Sequence, residues 1–360
     1  MLFVALRFFT LTFIALLFQR TGRQNQYQRN QNKGSYQLFH PAFSSQKVLI
    51  PGRVLLNWNH FEVRFLSIFL QQFNHFLGFS PYNGKYPPLS GLIFKIQGTT
   101  LPNSSDIDLS ILQNLASETK RQWLYLHETD STNAEIGRRL QDHPPEEGLV
   151  VIADAQTGGR GRLGRVWHSE PENGIYLSTL IRPDLSPEKL PLITLMAGLA
   201  TVLAVNSTIP SPSRLKWPND LLLNGKKIAG VLCENHSTKT PAVIIGIGIN
   251  VNHSQFPPEI KDIATSLKLE TGLKINRTSL IKNLVTQLDL QYSELKNNEV
   301  KILLENWCKN TDLFGKTITI KKGNRKIAGK ALRLDKLGRL VLAGHSGKEL
   351  ALDSGEVSLE

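Results

Sequence analysis

Sulfur is scarce in this chain of 360 residues. It has two cysteines, Cys233 and Cys308, and two methionines, Met1 and Met196. Two cysteines exclude a disulfide framework and a cysteine-built metal cluster. Neither stands in the His or Lys arrangement that marks a nucleophile. The simplest reading is a reduced, cytoplasmic protein. Acids are nearly missing from the first hundred residues, where Glu62 faces ten Lys and Arg; residues 101–360 carry 29 acids against 32 Lys and Arg. The net charge of +12 therefore belongs mainly to the N-terminal segment and says little about the rest. Phenylalanine is scarce after residue 100, with two of the 16.

Residues 1–90 form a basic, Phe-rich extension with weak periodicity of either kind. Residues 2–18 are apolar apart from Arg7 and two threonines. That pattern fits a signal or membrane segment, marginal in length and with its charge inside the apolar run. It also fits an acid-poor transit peptide. The composition break favours a third reading, a segment outside the natural frame of the protein. No capped, amphipathic helix pair is legible there, so sequence-specific DNA binding is not expected. No membrane association is expected either.

The main body carries a loop rich in glycine and arginine, Gly158-Gly159-Arg160-Gly161-Arg162-Leu163-Gly164-Arg165. Glycines expose backbone N–H groups, and Arg160 and Arg162 can pair with carboxylate or phosphate oxygens. The loop runs between two apolar segments that read as strands, 149–154 and 174–181. A dinucleotide fingerprint would open a helix, and a Walker A loop would end in Gly-Lys-Ser/Thr. This loop does neither. Alone it reads equally well as a mobile surface segment with solvated arginines.

Three further blocks change that balance. Glu128-Thr129-Asp130-Ser131-Thr132-Asn133 precedes the loop. Lys216-Trp217-Pro218-Asn219-Asp220 follows it, then Lys226-Lys227-Ile228-Ala229-Gly230 and Gly246-Ile247-Gly248-Ile249-Asn250-Val251-Asn252. In this order and spacing, from about Trp123 to the C-terminus, the chain resembles the biotin protein ligases. The resemblance implies an α+β fold. A mixed β-sheet catalytic domain of the class II synthetase-like biotin/lipoate ligase type would be followed by a small SH3-like β-barrel.

It also implies substrates and residues. Biotin and ATP, with Mg²⁺, would form biotinyl-5′-AMP. A lysine on the biotin carboxyl carrier domain of acetyl-CoA carboxylase would then accept the biotin. Lys216 and Arg162 are the catalytic candidates, since two anions must be brought together. The biotin-binding set is Ser131, Thr132, Asn133, Gln156, Arg160, Gly161, Arg162, Lys216 and Gly230. The adenylate set is Arg160, Arg162, Trp167, Lys216, Asn219 and Asn250, with Asp220 and Asn250 as Mg²⁺ ligands. Each has a plainer reading. Thr132 can cap a helix, Trp167 can be core, Asp220 can cap a turn, and Lys216 can be a solvated strand end.

Periodicity fills in the frame. The segment 91–122 reads as a connector, with a strand at 91–96 that could be the tail of a DNA-binding wing and a turn at 101–105. A short helix from Asp108 to Ala116 buries Ile107, Ile111, Leu112 and Leu115. Thr132 and Glu135 form a capping box opening a helix through Leu140. A helix from Leu190 to Val205 is apolar almost all round, hence central. Strands are expected at 214–217, 228–233 and 242–249. A helix at 279–295 is expected to pack on the sheet, with helices on one side. The catalytic domain spans 123–311. Residues 312–360 read as short strands with tight turns at Lys322–Asn324, Leu337-Gly338 and Ser346-Gly347. A lipoate ligase of the same fold and a bifunctional ligase–repressor are the rival readings. A homodimer is compatible with the sequence, which carries no motif for or against it.

Overall fold

The computed structural model describes residues 27–30, 35–38, 94–97 and 106–359, apart from 143, 237–240, 324 and 345–347. The expected turns at 101–105 and 346–347, and the apolar stretch 2–18, lie outside the described residues. The chain divides into two units, Met1–Pro87 and Pro88–Glu360. In the first, β1 (Tyr27–Asn30) pairs antiparallel with β2 (Ser35–Leu38).

The second unit is built on an eight-stranded mixed sheet. Its strands are β3 (Phe94–Gln97), β4 (Trp123–Thr129), β5 (Val150–Gln156), β6 (Gly174–Ile181), β7 (Arg214–Lys216), β8 (Asp220–Leu223), β9 (Lys226–His236) and β10 (Ala242–Asn250). The spatial order is β3-β4-β5-β6-β10-β9-β8-β7. The first three strands run parallel and the remaining pairs antiparallel. The strand read as the tail of a wing is thus an edge of this sheet, paired with β4.

Both faces of the sheet are covered. On β4, Trp123 and Tyr125 join one apolar cluster while Leu124 and Leu126 join another, as a strand's alternation requires. The larger cluster surrounds α3 (Pro191–Asn206), which buries twelve of its 16 residues. With the turn before it, the 20-residue stretch Pro187–Asn206 is long and apolar enough to cross a bilayer by length and composition, yet two thirds of its most apolar window is buried within the fold. The smaller cluster lies under α2 (Thr132–Asp142), through Ile136 and Leu140. Helices therefore flank both faces, contrary to the one-sided expectation. The helix α5 (Arg277–Lys296) buries Leu280, Leu284, Leu288 and Leu295 as its spacing predicts. Its main partner is α3 rather than the sheet.

Local chemistry corrects three other expectations. In α1 (Leu109–Thr119), Asp108 is the N-cap, accepting from the N–H groups of Ser110 and Ile111. Ala116 is buried in that helix, and Ile111 is exposed. The capping box at α2 does not form, because Glu135 turns outward to Arg138 and Arg139. Sequence periodicity missed β4, β8, the short α4 (Leu267–Thr271) and α6 (Val300–Lys309).

The C-terminal part is a five-stranded antiparallel sheet. Its strands are β11 (Thr317–Lys322), β12 (Arg325–Leu334), β13 (Leu340–Ala343), β14 (Glu349–Leu352) and β15 (Glu356–Leu359), in the order β14-β13-β12-β11-β15. It shares the larger apolar cluster with the main sheet through Ile318, Ile320, Leu340, Leu342 and Val357. Trp217 adds a hydrogen bond across this junction, donating its indole N–H to Gly338 O at 3.2 Å.

Candidate active site

The site begins with the register of the main sheet. Tyr176, Gly248, Gly230, Asp220 and Lys216 stand opposite one another on β6, β10, β9, β8 and β7. Opposed residues share a face. The next row on that face holds Ser178, Gly246 and Leu232. Glycine at 230, 246 and 248 leaves a trough in the middle of the sheet, on the side carrying α2. Side chains from outside the sheet fill part of it. Asn133 comes down over Gly246, and the indole of Trp167 lies over Gly248 and Gly230.

The trough opens into a solvent-open cleft of about 470 Å³, the space at its mouth included. Ser131, Thr132, Asn133, Gln156, Arg160, Gly161, Arg162, Trp167, Asn219 and Gly230 all line it. One end is a closed polar network. Thr132 donates its N–H to Gln156 Oε1 at 2.9 Å and its hydroxyl to the same oxygen at 3.2 Å. Gln156 Nε2 donates to Ser169 Oγ at 2.8 Å. The Ser178 hydroxyl lies 2.6 Å from both Thr132 Oγ1 and Asn133 Oδ1. Asn133 Nδ2 donates to Glu234 Oε2 at 2.6 Å. These polar groups hold one another in place, and Ser131, Thr132, Asn133 and Gln156 at this end stand in the cleft wall.

The glycine–arginine loop forms the other wall. Trp167 N–H donates to Gly159 O at 2.9 Å and Gly161 N–H to Arg165 O at 2.7 Å, which folds the loop as a narrow hairpin. Its tip is a single turn, Arg162–Gly164, with Leu163 in the left-handed region at φ 57°. Leu163 and Val166 are exposed on its outer side.

The chain that builds this site is similar to known proteins. Residues 125–252 match the biotin/lipoate A/B protein ligase family, and residues 313–360 match the biotin protein ligase C-terminal domain. Over 240 residues the chain is 37% identical to the bifunctional ligase/repressor BirA of Bacillus subtilis, covering 65% of this chain and 73% of that protein. Over 242 residues it is 32% identical to the biotin–[acetyl-CoA-carboxylase] ligase of Mycobacterium tuberculosis, covering 66% of this chain and 88% of that protein.

The chain belongs to the biotin protein ligase family.

A solved biotin protein ligase from Aquifex aeolicus, in complex with biotin and ATP, has the same fold. It is 34% identical, with a TM-score of 0.59, over 66% of this chain and 98% of that chain. Within the ligase fold the cations of the site differ in how they are partnered. Arg160 pairs with Glu234 at 3.4 Å. Arg165 pairs with Glu356 of β15. Lys227 pairs with Asp220 at 2.7 Å and sits 5.4 Å from the Trp167 ring centroid, a cation–π contact. Arg162 donates to a neutral group, Asn219 Oδ1, at 2.8 Å. Lys216 is half-buried at the end of β7, and its side chain has no hydrogen bond or ion pair among the described residues. Burial lowers the pKa of both Arg162 and Lys216, and the Asp220 carboxylate opposes that shift in each case. Among the described cations of the site, Arg162 and Lys216 are the two that no ion pair holds, Asp220 acting on both only at longer range.

Lys216 stands in the same sheet row as Gly230 but is not part of the cleft wall. It directly precedes the cis Trp217–Pro218 peptide, which lies in the turn between β7 and β8. Asn250 also lies outside the cleft wall. It is buried, and its Nδ2 donates to Thr265 O at 3.1 Å. Asp220 and Asn250 do not converge as a metal-binding pair. They are separated by β9 and by two further residues along β10, so their Cα atoms stand about 12 Å apart from strand spacing alone. Each is already committed elsewhere, Asp220 to Lys227 and Asn250 to Thr265. Among the described residues no group of three or more His, Cys, Asp or Glu is placed to hold a metal ion. Sequence reading missed Ser178, Lys227 and Glu234. Ser178 had a signal: with Thr179 it places small hydroxyls in the middle of a strand otherwise built mainly of apolar residues.

Proposed function

We propose that this chain is a biotin protein ligase acting in two steps. A carboxylate oxygen of biotin attacks the α-phosphorus of ATP, and the bond to pyrophosphate breaks. The ε-amine of an acceptor lysine then attacks the acyl carbon of biotinyl-5′-AMP, and AMP leaves. The reading rests chiefly on one observation. A polar cleft of mixed donors and acceptors has Arg162 in its wall and Lys216 in the same sheet row as its floor residue Gly230, and neither cation is in an ion pair with a carboxylate. Ser131, Thr132, Asn133, Ser178 and Gln156 suit a small neutral ring system with polar edges. Arg162 and Lys216 suit the carboxylate and α-phosphate, whose mutual repulsion is the main obstacle to the first step. Trp167 offers a flat face for the adenylate.

The acceptor in this reading is the biotin carboxyl carrier domain of acetyl-CoA carboxylase, after the names of relatives from Mycobacterium tuberculosis and Paracoccus denitrificans. The Mg²⁺ that accompanies ATP has no protein cage of its own among the described residues, and no step is assigned to it. We place the enzyme in the cytoplasm, where its two thiols stay reduced. Several relatives are named as ligase/repressors. A repressor would need a base-reading element in the first hundred residues, and the sequence there offers none. The test is biotin-dependent exchange of pyrophosphate into ATP by the purified full chain. Exchange with biotin and little with lipoate is expected; the reverse preference favours a lipoate ligase.

A further inference from the structure

We infer that Asn219 is a charge-sparing positioning residue: it fixes the Arg162 guanidinium without neutralising it, so that Arg162 keeps its full charge for the reacting anions. The inference deepens the ligase reading and rests on it. Asn219 is buried at 9% exposure, between the Trp217-Pro218 corner and β8. Its backbone and side chain both bind one residue of β9. Val231 N–H donates to Asn219 O at 2.9 Å, and Asn219 Nδ2 donates to Val231 O at 3.0 Å. These contacts orient the amide. Turned over, it would set Oδ1 against a carbonyl oxygen and Nδ2 against a guanidinium, two repulsive contacts. Oδ1 therefore faces the cleft and accepts from Arg162 Nη1 at 2.8 Å.

The contrast with the neighbouring cations gives the arrangement its meaning. Arg160, Arg165 and Lys227 each lean on a carboxylate, from Glu234, Glu356 and Asp220. Arg162 is desolvated and held equally close, but its hydrogen-bond partner is a dipole, and the Asp220 carboxylate acts on it only from beyond ion-pair distance. A carboxylate at 219 would also hold it, and more tightly. It would then compete with the carboxylate and phosphate that Arg162 is to receive. Asparagine at this position gives the geometry of an ion pair while leaving the charge free. Asn219 has both side-chain polar atoms engaged with the protein, so it acts through Arg162 rather than on the ligand.

The test is a double-mutant cycle on the full chain, reading pyrophosphate exchange, the KM for ATP and the rate of adenylate release. Asn219→Asp keeps the shape and adds the charge. With Arg162 present it is expected to lower exchange by about 100-fold and to raise adenylate release, with the biotin KM little changed. Asn219→Ala keeps Arg162 charged but untethered, and a loss of about 10-fold is expected. With Arg162→Ala as background, Asn219→Asp is expected to cost less than about 3-fold more. Asn219→Asp also places a carboxylate against Val231 O, and the second background measures that structural part separately. An equal loss in both backgrounds, or an Asn219→Asp no worse than Asn219→Ala, overturns the assignment. A wild-type chain without biotin-dependent exchange overturns the ligase reading itself, and the assignment with it.

Discussion

The indole of Trp167 occupies the space that a side chain on Gly248 would need. Trp167 follows the glycine–arginine loop, while Gly248 lies in the middle of β10, so the contact ties the loop to the sheet. Gly248→Val should expel the indole from the trough. Exchange activity should fall at least 100-fold, with a smaller change in melting temperature. Loss of the ring's stacking should also show as a shift in tryptophan emission on adding biotin and ATP. Unchanged exchange would show that Trp167 is a packing residue only.

Lys216 should carry much of the first step. Lys216→Ala removes a charge that no ion pair holds, Asp220 acting on it only at longer range. Loss of one such contact typically costs about 3–4 kcal/mol, or roughly 10²–10³ in rate. Burial holds the Lys216 pKa below the usual lysine value. The charged form is the working one, so exchange should decline on the alkaline side before an ordinary lysine would titrate. Lys216→Arg should move that limb upward. The same depressed pKa means that folding stability rises with pH between the folded and unfolded values of this group. Near-normal exchange by Lys216→Ala would return it to a solvated strand end.

Arg162→Gly should weaken retention of biotinyl-5′-AMP more than transfer from it. The guanidinium is fixed against the cleft by Asn219, so its loss should raise the off-rate. Released adenylate would label lysines on unrelated proteins. The check is a biotin blot after incubation with ATP, biotin and a bystander protein. Labelling confined to a carrier domain would remove the loop from this role.

Much of this arrangement was legible in the residues, and the rest had physical reasons to be hidden. Strong periodicity made α3 and α5 readable to within about two residues, because a buried face repeats every 3.6 positions. β8 was hidden because it follows a proline corner after only one residue and alternates weakly. The cleft residues stood out by type, as Arg160, Arg162 and Lys216 did. Partnership did not. That Asp220 binds Lys227 rather than faces a metal depends on the register and bulge of the β8–β9 hairpin, and that Asn250 closes on Thr265 depends on how a segment 15 residues downstream folds back, neither of which local periodicity reports. Thr132 shows the same limit. Its pairing with Glu135 was the local expectation, and the hydrogen bonds instead go to Gln156 and Ser178, 24 and 46 residues away.

His253 should set an acid limit to stability. It is 2% exposed, stacked on Phe256 at 5.2 Å, and its pKa is pushed down to about 4 by burial and then by Arg277. The folded pKa lies below the unfolded value, so the unfolded state binds more protons between them. Stability is full above pH ~6.5 and is lost as the pH falls toward 4. The loss should approach about 3 kcal/mol, since each tenfold change in proton affinity is worth about 1.4 kcal/mol. His253→Phe should flatten this limb in urea titrations between pH 4 and 7. A limb of unchanged slope would assign the acid sensitivity to other groups.

Arg277 should be the most costly single ion-pair residue to remove. Its guanidinium is wholly buried and bridges Asp106 at 2.5 Å and Asp154 at 2.8 Å, and also donates to Gly174 O. Asp154 is wholly buried as well, while Asp106 keeps 18% of its side chain exposed. Removing the arginine strands the Asp154 carboxylate in the interior. Breaking a buried pair in this way costs about 3–5 kcal/mol. Arg277→Met should therefore be much more damaging than Asp106→Asn, which leaves the guanidinium its second partner and should cost about 1–2 kcal/mol. Adding Asp154→Asn to Arg277→Met should recover part of the loss, because the stranded charge is gone. Gln156 lies two residues beyond Asp154 on β5 and orders the Thr132 end of the cleft. The single variant should thus lose biotin affinity as well as stability, and the double variant should recover part of each together. Equal damage from Arg277→Met and Asp106→Asn, measured by urea unfolding, would show that the two carboxylates share the charge evenly and that burial does not rank them.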